Sequence, residues 1–530
     1  MDEVDAVVIG SGINGLVAAA ELAKAGWAVA LVERNQDVGG FIATEERTLP
    51  GYLHDTYSSW HPLFVSGGAY ASLGELLHRH GLEYRNTDDW VAASVADDGS
   101  VTLAHRDPVR TAAEFAHEAD KDAYLDCLNR LGQAMGPIGG LLSAELRSPA
   151  LLRHAAGLIR SGGRTGLEGW LRSVTASGRG WARERFRGDA VDHLYSPWLL
   201  HAGLSPDHAS GGFMAPLRCD LARVRAAGGR RRRRAVPQRL PVAVRLPRRP
   251  GRDRHHGRAR DRQRRSCRGG DGRRPRHPCP ACRTRLRDPT ALYGGLLPEG
   301  SVDSRFREEA TRFRYGRAAM QIHVALSEPI GWRDERLSRV PLIHLADGSG
   351  SIGIACAEAE AGLLPRRPTV VVGRQYLLDP GRVPEGTAAL WLQLQEVPFA
   401  PRGDAAGELD TSRGWTPELA RGYADRVLDR IAQHAPDLRD KVLALDVITP
   451  VQLTAHNPNA VNGDPYGGAG DLDQSYLWRP LPSSGRHATD VSGLWHIGAS
   501  THPGAGLGGS SGHMVATALT KPRRFLARAR

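Results

Sequence analysis

Short apolar runs and glycine-containing turns alternate at the start of the chain. Ala6 to Ile9 is an apolar run of the length that one buried parallel strand needs. Leu16 to Ala25 is rich in alanine and leucine, which predicts a helix, and Gly26 stands where a helix C-terminus favours a left-handed residue. A second apolar run, Ala28 to Val32, predicts the next strand. The pattern therefore predicts a strand–helix–strand unit.

The middle of the chain has the spacing of amphipathic helices. Leu73 to His80 predicts a short helix, and Thr111 to Leu200 predicts a longer helical region. Proline and glycine predict breaks in that region at Gly136–Pro137 and Ser148–Pro149. We interpret the region as a helical cap on the substrate side, whose apolar faces belong to the core rather than to a membrane anchor.

Two later stretches alternate between apolar and polar residues, as a half-buried strand does. They are Ala318 to Leu326 and Ala388 to Val397, and both predict strands of a second sheet. Thr416 followed by Pro417 predicts the N-terminus of a helix. The apolar positions of that helix share one face: Leu419, Tyr423, Val427 and Ile431.

The end of the chain repeats the initial pattern. Leu494 to Ile497 predicts a strand, Gly498 to Gly509 is a glycine-rich turn, and Ser511 to Leu519 predicts a helix. A helix N-terminus behind such a turn presents free N–H groups to an electron-rich ligand. The alternative is a glycine loop with a purely structural role.

Three glycines between the first strand and its helix have the spacing G-x-G-x-x-G. Gly10 permits the tight turn, Gly12 lets a pyrophosphate approach the backbone, and Gly15 lets helix and strand pack closely. Glu33 ends the second strand, where a carboxylate accepts hydrogen bonds from a ribose. Because the motif stands in this context, we predict a dinucleotide site rather than an ordinary βαβ unit without a ligand.

Length and composition limit the alternatives. A chain of 530 residues with 41% apolar residues predicts a globular protein of two intertwined domains. Six cysteines in this length do not form a disulfide framework. The chain has no uncharged apolar run of about 18 residues. Because Ala6 already belongs to the first predicted strand, we expect no signal sequence before it. We therefore expect a cytoplasmic protein and leave contact with a membrane surface open.

The residues after Glu33 indicate which dinucleotide binds. Arg34 is followed by the glycine pair Gly39–Gly40, and this E-R-x-x-x-x-G-G continuation resembles FAD-binding flavoproteins of the glutathione-reductase and amine-oxidase type. No C-x4-C pair follows, so a disulfide reductase is not expected. The next stretch, residues 41–64, resembles the segment that lies against the flavin in phytoene-desaturase-like flavoproteins.

Two histidines in that segment are candidate proton-transfer groups. His54 and His61 lie among other polar and aromatic residues, including Asp55 and Trp60. We favour a structural, hydrogen-bonding role for both, because hydride abstraction by a flavin often needs no strong base.

The C-terminal part carries a second resemblance to the phytoene-desaturase-like family. It is specific in a G-D…D-Q…R-P block: Gly463, Asp464, Asp473, Gln474, Arg479 and Pro480. The sequence THPGAG, residues 501–506, closely resembles the family's element beside the flavin ring and ribityl chain. The resemblance covers residues 4–215 and 289–525, and identifies the chain as similar to the phytoene-desaturase-like FAD oxidoreductases, which include carotenoid and retinoid desaturases and pyridine-nucleotide-disulfide-oxidoreductase-domain relatives.

This resemblance implies an α/β fold with a discontinuous Rossmann-like FAD-binding domain and a second, substrate domain of mixed sheet plus helical cap. The expected parts are an FAD domain in 1–72, 206–300 and 441–530, and a substrate domain in 73–205 and 301–440. The implied chemistry is hydride transfer between the flavin and a C–C bond of an apolar substrate, for which a polyprenoid is one candidate. The predicted FAD-binding residues are Gly10, Gly12, Ile13, Asn14, Gly15, Glu33, Arg34, Gly39, Gly40, Gly498, Pro503, Gly504, Gly506, Leu507, Gly508 and Gly509.

Residues 218–288 differ in composition from the rest of the chain. They hold 26 arginines and 5 aspartates, with no lysine, glutamate, phenylalanine, tyrosine, tryptophan, isoleucine, methionine or asparagine. This segment contributes about +21 to a net charge of +12, so the rest of the chain is acidic. The basic charge is therefore a property of one segment, and such a composition does not predict a packed core.

We interpret this segment as the product of a shifted reading frame. Repeated GGC codons for glycine become CGG codons for arginine when they are read two bases later, and Arg230 to Arg234 fits that origin. Family-like sequence resumes at Pro289. The alternative is a real, disordered basic insertion. Under either interpretation we expect the strands of the family to be absent here, which would leave sheet edges unpaired and weaken or abolish FAD binding.

Three other functions are alternatives to this interpretation. An amine oxidase would place an aromatic cage and a covalent-flavin cysteine near the C-terminus, whereas no cysteine follows Cys356. A nucleic-acid-binding protein would use the arginine segment and bind in a salt-dependent way; we expect no specific nucleic acid. A zinc site would use Cys279 and Cys282 with His255, His256 and His277, but the spacing is irregular and we expect no metal.

Overall fold

The computed structural model describes residues 4–217, 228–231, 243–246, 282–286 and 288–521. For residues 161–165 and for the three short segments between 218 and 287, it describes the backbone only. The candidate zinc ligands Cys279, His255, His256 and His277 lie outside the described residues. Among the described residues, no cluster of metal-ligating side chains is found. None of the described helices has an apolar stretch long enough to cross a membrane.

A five-stranded sheet forms the nucleotide-binding half of the molecule. In the order in which they pair, its strands are β18 (Leu494–Ile497), β10 (Cys282–Leu286), β1 (Ala6–Ile9), β2 (Val29–Val32) and β9 (Ala243–Leu246). The strands β2, β1, β10 and β18 are parallel, and β9 pairs antiparallel with β2. This topology is that of a Rossmann-like sheet, and it confirms the predicted fold class.

Two helices from opposite ends of the chain pack together beside this sheet. Helix α1 spans Ile13–Lys24, and the C-terminal helix spans Ser510–Thr520. A β-carbon on Gly512 would lie 2.0 Å from the carbonyl oxygen of Asn14, so only glycine permits this approach. The apolar core beneath α1 comes from alternate positions of the two predicted strands and from one face of the helix: Ala6, Val8, Ala19, Leu22, Val29 and Leu31.

The second half is built on a seven-stranded mixed sheet. In the order in which they pair, its strands are β17 (Val442–Ile448), β11 (Ala318–Leu326), β15 (Ala388–Val397), β14 (Val370–Gly373), β12 (Leu342–Leu345), β6 (Trp90–Val95) and β7 (Val101–His105). One face packs against the helix Pro417–Ala432. The Thr416 side chain caps that helix through the N–H of Leu419, as its sequence predicts.

Helices of the cap cover the other face of this sheet. They are α4 (Pro108–Ala113), α5 (Glu118–Leu142), α6 (Pro149–Thr175), α7 (Gly178–Arg185) and α8 (Ala190–Leu200). Ser148 caps α6, which confirms the predicted break there. The predicted break at Gly136–Pro137 is wrong, because α5 continues through Pro137. Burial of Ala134 and Ile138 in the cap core stabilises the helix on both sides of the proline.

The remaining elements connect these layers. The helices are α2 (Pro62–Val65), α3 (Gly68–Arg79), Pro289–Ala291, Ser304–Thr311, Gly348–Glu360, Leu438–Lys441 and Pro450–His456, and the strands are β3 (Thr44–Glu46), β4 (Leu53–Asp55), β5 (Leu82–Arg85), β8 (Gly228–Arg231), β13 (Leu363–Leu364) and β16 (Gly403–Asp404). The residue boundaries of the two domains stay a prediction.

The arginine-rich segment contributes strands to these sheets. β9 and β10 belong to the nucleotide-binding sheet, and β8 pairs antiparallel with β5. The expectation that the strands are absent is therefore wrong at these three places. The physical reason is that backbone N–H and C=O groups, which are independent of the side chains, form the ladder. The other residues of 218–287 lie outside the described part of the chain.

Candidate active site

A cavity of about 430 Å³ lies where the carboxyl ends of β1 and β2 meet the C-terminal glycine loop. This is the edge at which open parallel sheets bind ligands. Segments that are distant in the sequence line it together: Ile9 to Asn14, Val32 to Asn35, Gly40, Phe41, Asp288, His456 to Ala460, Pro465, Gly467, Gly498 to Ser500 and Leu507. Both glycine motifs that the sequence singles out therefore border one cavity.

The N-terminus of α1 points its free N–H groups at this cavity. Gly12 is the N-cap residue and no side chain caps it. A β-carbon on Gly12 would meet no protein atom within 4 Å, which shows that the space in front of it is open. Gly10 has φ +98°, so the preceding turn favours glycine. An uncapped helix N-terminus with open space before it fits a pyrophosphate group.

Glu33 lies beside this helix N-terminus, and several hydrogen-bond donors surround its carboxylate. Its carboxylate accepts hydrogen bonds from the N–H of Ser11 at 2.8 Å and the hydroxyl of Ser11 at 2.6 Å, and from the N–H groups of Arg34 and Asn35 at 2.8 and 2.9 Å. Partial burial alone would raise the pKa of Glu33, but these hydrogen bonds hold it below its ordinary value. The side chain is therefore an ionised acceptor, as ribose recognition requires.

The second glycine pair closes the rim of the cavity. Gly39 pairs with Gly12 in an isolated bridge, and its N–H donates to the carbonyl of Ser11 at 3.1 Å. Gly39 and Gly40 both have positive φ, +130° and +61°. A side chain at Gly39 would collide with the carbonyl oxygen of Ile42, 2.4 Å from the β-carbon position. These contacts explain why the sequence carries two glycines here.

One wall of the cavity comes from residues 456–460, shortly before the G-D…D-Q…R-P block. Arg34 donates to the carbonyl of Ala455 at 2.6 Å, and Asn35 donates to the carbonyl of His456 at 3.1 Å. The His456 ring stacks on Tyr57, with 4.5 Å between ring centroids. Only tertiary packing brings this wall to the glycine motif, since 421 residues separate Arg34 from Ala455.

The C-terminal block organises the loops at the inner end of the cavity. Asp464 is buried and accepts hydrogen bonds from the N–H groups of Gly316, Tyr466 and Gly468. Arg479 is buried and donates to the carbonyls of Tyr466, Gly467 and Ala499. Asp464 thus holds the loop of Gly467, and Arg479 ties that loop to the loop of Ala499. Both Gly467 and Ala499 line the cavity.

The predicted FAD-binding residues divide into two groups. Those that line the cavity are Gly10, Gly12, Ile13, Asn14, Glu33, Arg34, Gly40, Gly498 and Leu507. Those that do not line it are Gly15, Gly39, Pro503, Gly504, Gly506, Gly508 and Gly509. Several of the second group support the first, as Gly39 does through Gly12. The roles of both groups in FAD binding stay a proposal.

Other lining residues were not among the predicted FAD-binding residues. They are Ile9, Ser11, Val32, Asn35, Phe41, Asp288, His456 to Ala460, Pro465, Gly467, Ala499 and Ser500. Ser11 and Asn35 flank predicted residues, and the glycine motif could have suggested them. Asp288 directly precedes the resumption of family-like sequence, and its side chain caps the helix Pro289–Ala291 through the N–H of Ala291 at 3.0 Å.

The two candidate histidines are buried and uncharged. The ring of His54 exchanges a hydrogen bond with the hydroxyl of Thr48 at 2.9 Å, and burial lowers its pKa to about 4. Burial also lowers the pKa of His61. Neither histidine lines the cavity. This geometry supports the structural role expected for both.

Comparisons with known proteins agree with this site. Residues 8–78 match the family of NAD(P)-binding Rossmann-like domains. The chain is 24% identical to pyridine nucleotide-disulfide oxidoreductase domain-containing protein 2 of Mus musculus, over 97% of this chain and 93% of that protein. It is 23% identical to one of the subunits of limonene dehydrogenase from Castellaniella defragrans, over 98% and 94% of the two chains. A phytoene desaturase (lycopene-forming) of Paracoccus is 32% identical over 26% of this chain and 25% of its own.

The fold also has a counterpart among solved structures. A putrescine oxidase variant superimposes with a TM-score of 0.54 at 12% identity, and the alignment covers 98% of each chain. The cavity, its two glycine loops, the uncapped helix N-terminus and the Glu33 acceptor fit FAD. The chain is an FAD-dependent oxidoreductase that shares its fold with a putrescine oxidase and is similar to a phytoene desaturase over 26% of its length.

Proposed function

We propose that the protein transfers hydride between a C–C bond of an apolar, polyprenoid-like substrate and FAD. The observation that carries this proposal is that the apolar core of the cap reaches the C-terminal glycine loop. Leu63 packs against that core, and a β-carbon on Gly508 would lie 3.3 Å from the Leu63 β-carbon. The ring of His502 also hydrogen-bonds the carbonyl of Leu141, at the end of α5. An apolar molecule held under the cap therefore lies beside the predicted flavin site.

A buried, largely aromatic core lies between the cap and the second sheet. A cluster of buried side chains joins α5, α7 and α8 to β14 and β15: Tyr124, Trp181, Tyr195, Trp198, Leu199, Val371 and Trp391. A substrate bound at the edge of this core would have apolar neighbours and little contact with water. FAD, when bound, accepts or supplies the hydride, and the protein positions the substrate.

The two candidate histidines, His54 and His61, do not supply a charged acid or base at neutral pH, because burial lowers the pKa of both. The lowered pKa of His54, about 4, leaves its imidazole neutral. We therefore expect flavin reduction that does not depend on the ionisation of His54 or His61.

Amine oxidation is the second candidate. The fold of a putrescine oxidase supports it, because the same scaffold serves amine chemistry in that protein. Polar side chains on the sheet beneath the cap also offer hydrogen bonds that a hydrocarbon would not use. The low identity of 12% limits this support to the fold.

Anaerobic mixing of the FAD-loaded protein with candidate polyenes, fatty compounds and amines separates the two candidates. Loss of visible flavin absorbance on mixing with a polyene or a terpenoid is the expected result. Bleaching by amines alone would assign the protein to the amine-oxidase class and contradict the proposal.

A further inference from the structure

The face of the seven-stranded sheet beneath the cap carries polar side chains at its centre. In β15, Leu390, Leu392 and Leu394 belong to the apolar core on one face. Successive side chains of a strand point to opposite faces, so Gln393 and Gln395 lie on the cap side. Two further residues share that side through the strand register: Gln321 pairs with Gln393, and His323 pairs with Trp391.

Several atoms on this face are buried and have no hydrogen-bond partner among the described residues. They are Oε1 of Gln321, Oε1 of Gln395, Nε1 of Trp391 and both ring nitrogens of His323. The four residues are between 0% and 4% exposed. A buried polar group without a partner costs about 1–3 kcal/mol, so native proteins rarely leave several together. A cluster of this kind indicates that a ligand completes the hydrogen bonds.

Gln393 marks where such a ligand has access. It is partly exposed, whereas the other nine residues of β15 are buried. Three neighbours surround it. Trp391 belongs to the cap core, Gln321 Nε2 donates to the carbonyl of Tyr57 at 3.2 Å, and Gln395 Nε2 donates to the hydroxyl of Tyr466 at 2.7 Å. Tyr466 lies between Pro465 and Gly467, which line the dinucleotide cavity, so its hydrogen bond to Gln395 links this face to that cavity.

The charges near this face are already neutralised. Asp446 pairs with His323 in the strand register, and its carboxylate forms an ion pair with Arg47 at 2.9 Å. Burial holds the pKa of His323 well below its ordinary value, so the ring is neutral. Because Asp446 and Arg47 pair with each other, neither offers an unpaired charge to an ammonium group or a carboxylate. The polar atoms that remain are neutral donors and acceptors.

We propose that this polar floor, formed by Gln321, His323, Trp391, Gln393 and Gln395, binds a neutral group that both donates and accepts hydrogen bonds, on an otherwise apolar substrate. A hydroxyl group has this chemistry and defines the substrate class as an apolar alcohol. Gln393 is the residue that contacts it. The inference rests on the proposed function, since it assigns the substrate of the same site.

The test compares four probes built on one ten-carbon isoprenoid skeleton: the alcohol, the primary amine, the carboxylate and the hydrocarbon. Their dissociation constants for the FAD-loaded, full-length protein are measured by calorimetry near pH 7, where the amine and the carboxylate are charged. We expect the alcohol to bind about tenfold more tightly than each of the other three, as one to two hydrogen bonds would give.

Gln393→Leu should weaken binding of the alcohol about tenfold and leave binding of the hydrocarbon unchanged. Gln433→Leu, at an exposed glutamine, is the matched control. It should change the dissociation constant of neither the alcohol nor the hydrocarbon. If Gln393→Leu loses its flavin, Gln393→Met replaces it, because methionine keeps the length of the side chain.

Equal binding of alcohol and hydrocarbon by the wild-type protein would overturn the inference, and so would tighter binding of the amine or the carboxylate. Failure of all four probes to bind also counts against it. Binding is measured separately from flavin bleaching. A protein that selects the alcohol but is reduced only by amines would therefore refute the proposed function and leave this assignment standing.

Discussion

The α-carbon of Gly12 lies 3.0 Å from the position that a β-carbon on Gly40 would occupy, so two glycines from separate segments pack backbone against backbone at the rim of the cavity. Gly40 also has φ +61°, which disfavours a side chain. We expect Gly40→Ala to displace the Gly12 turn and weaken FAD binding about tenfold, corresponding to about 1.4 kcal/mol. Fluorescence titration with FAD measures this. Gly350→Ala, at an exposed helix position where a β-carbon meets no atom within 4 Å, should bind FAD like the wild type.

The close approach of Gly512 to the backbone of Asn14 stabilises the nucleotide-binding half of the molecule. Alanine at Gly512 would place its β-carbon 2.0 Å from the Asn14 carbonyl oxygen, and the backbone of α1 cannot yield without moving the glycine motif. We expect Gly512→Ala to lower the free energy of unfolding by about 3 kcal/mol, as overpacking of a core does. Urea unfolding measures the change, again with Gly350→Ala as the control. Equal urea midpoints of unfolding for Gly512→Ala and Gly350→Ala would contradict the close packing of these helices.

The N-terminal half of the site was predictable from the sequence because its signals are local. Gly10, Gly12 and Glu33 lie in one strand–turn–helix–strand unit, and the turn needs those residue types within a short span. The place of residues 456–460 was not predictable, since it depends on contacts with Arg34 and Asn35 that a local sequence resemblance does not reveal.

Helix α5 of the cap is a second feature that the sequence did not predict. Pro137 predicts a break because proline removes a backbone N–H and crowds the preceding turn. The helix continues because burial of Ala134 and Ile138 outweighs that local cost. Tertiary packing, which the sequence pattern does not contain, decides the outcome.

A buried ion pair in the substrate domain gives the protein a defined sensitivity to acid. The Asp404 side chain is 1% exposed and lies 2.6 Å from Nη2 of Arg426. Burial alone would raise the pKa of Asp404, but hydrogen bonds from Arg426 and from the N–H groups of Glu408 and Leu409 lower it to about 2. Because the folded pKa lies below the unfolded value of about 3.9, the stabilisation is present above about pH 4 and is lost as the pH falls towards 2.

We expect this linkage to contribute about 2 kcal/mol between about pH 4.5 and 2. Asp404→Asn removes the titrating group, so the wild-type protein should lose about that much more stability than the variant over this range. Urea unfolding at several pH values measures the difference. Parallel loss of stability in the two proteins would show that Asp404 is not the group responsible.

The arginine-rich segment remains a candidate for a shifted reading frame. Strand β10 lies between β1 and β18, and a central parallel strand is typically apolar along its whole length. Instead, Arg283 pairs with Val7 and Arg285 pairs with Ile9 in the register. We expect one alternative frame of the gene, across roughly codons 215–290, to encode Val/Leu/Ile-rich strands with glutamate and glycine in the turns. If neither alternative frame does, the segment is a real insertion.

The FAD content of the purified full-length protein tests the central claim most directly. The flavin is released by denaturation, identified by chromatography and quantified against the protein. We predict one FAD per wild-type chain. We predict none in Gly12→Val, because the valine side chain would enter the open space in front of helix α1, where no protein atom lies within 4 Å of the β-carbon position. A wild-type chain that binds no FAD even after reconstitution, or a Gly12→Val variant that purifies yellow with normal stoichiometry, would contradict the claim.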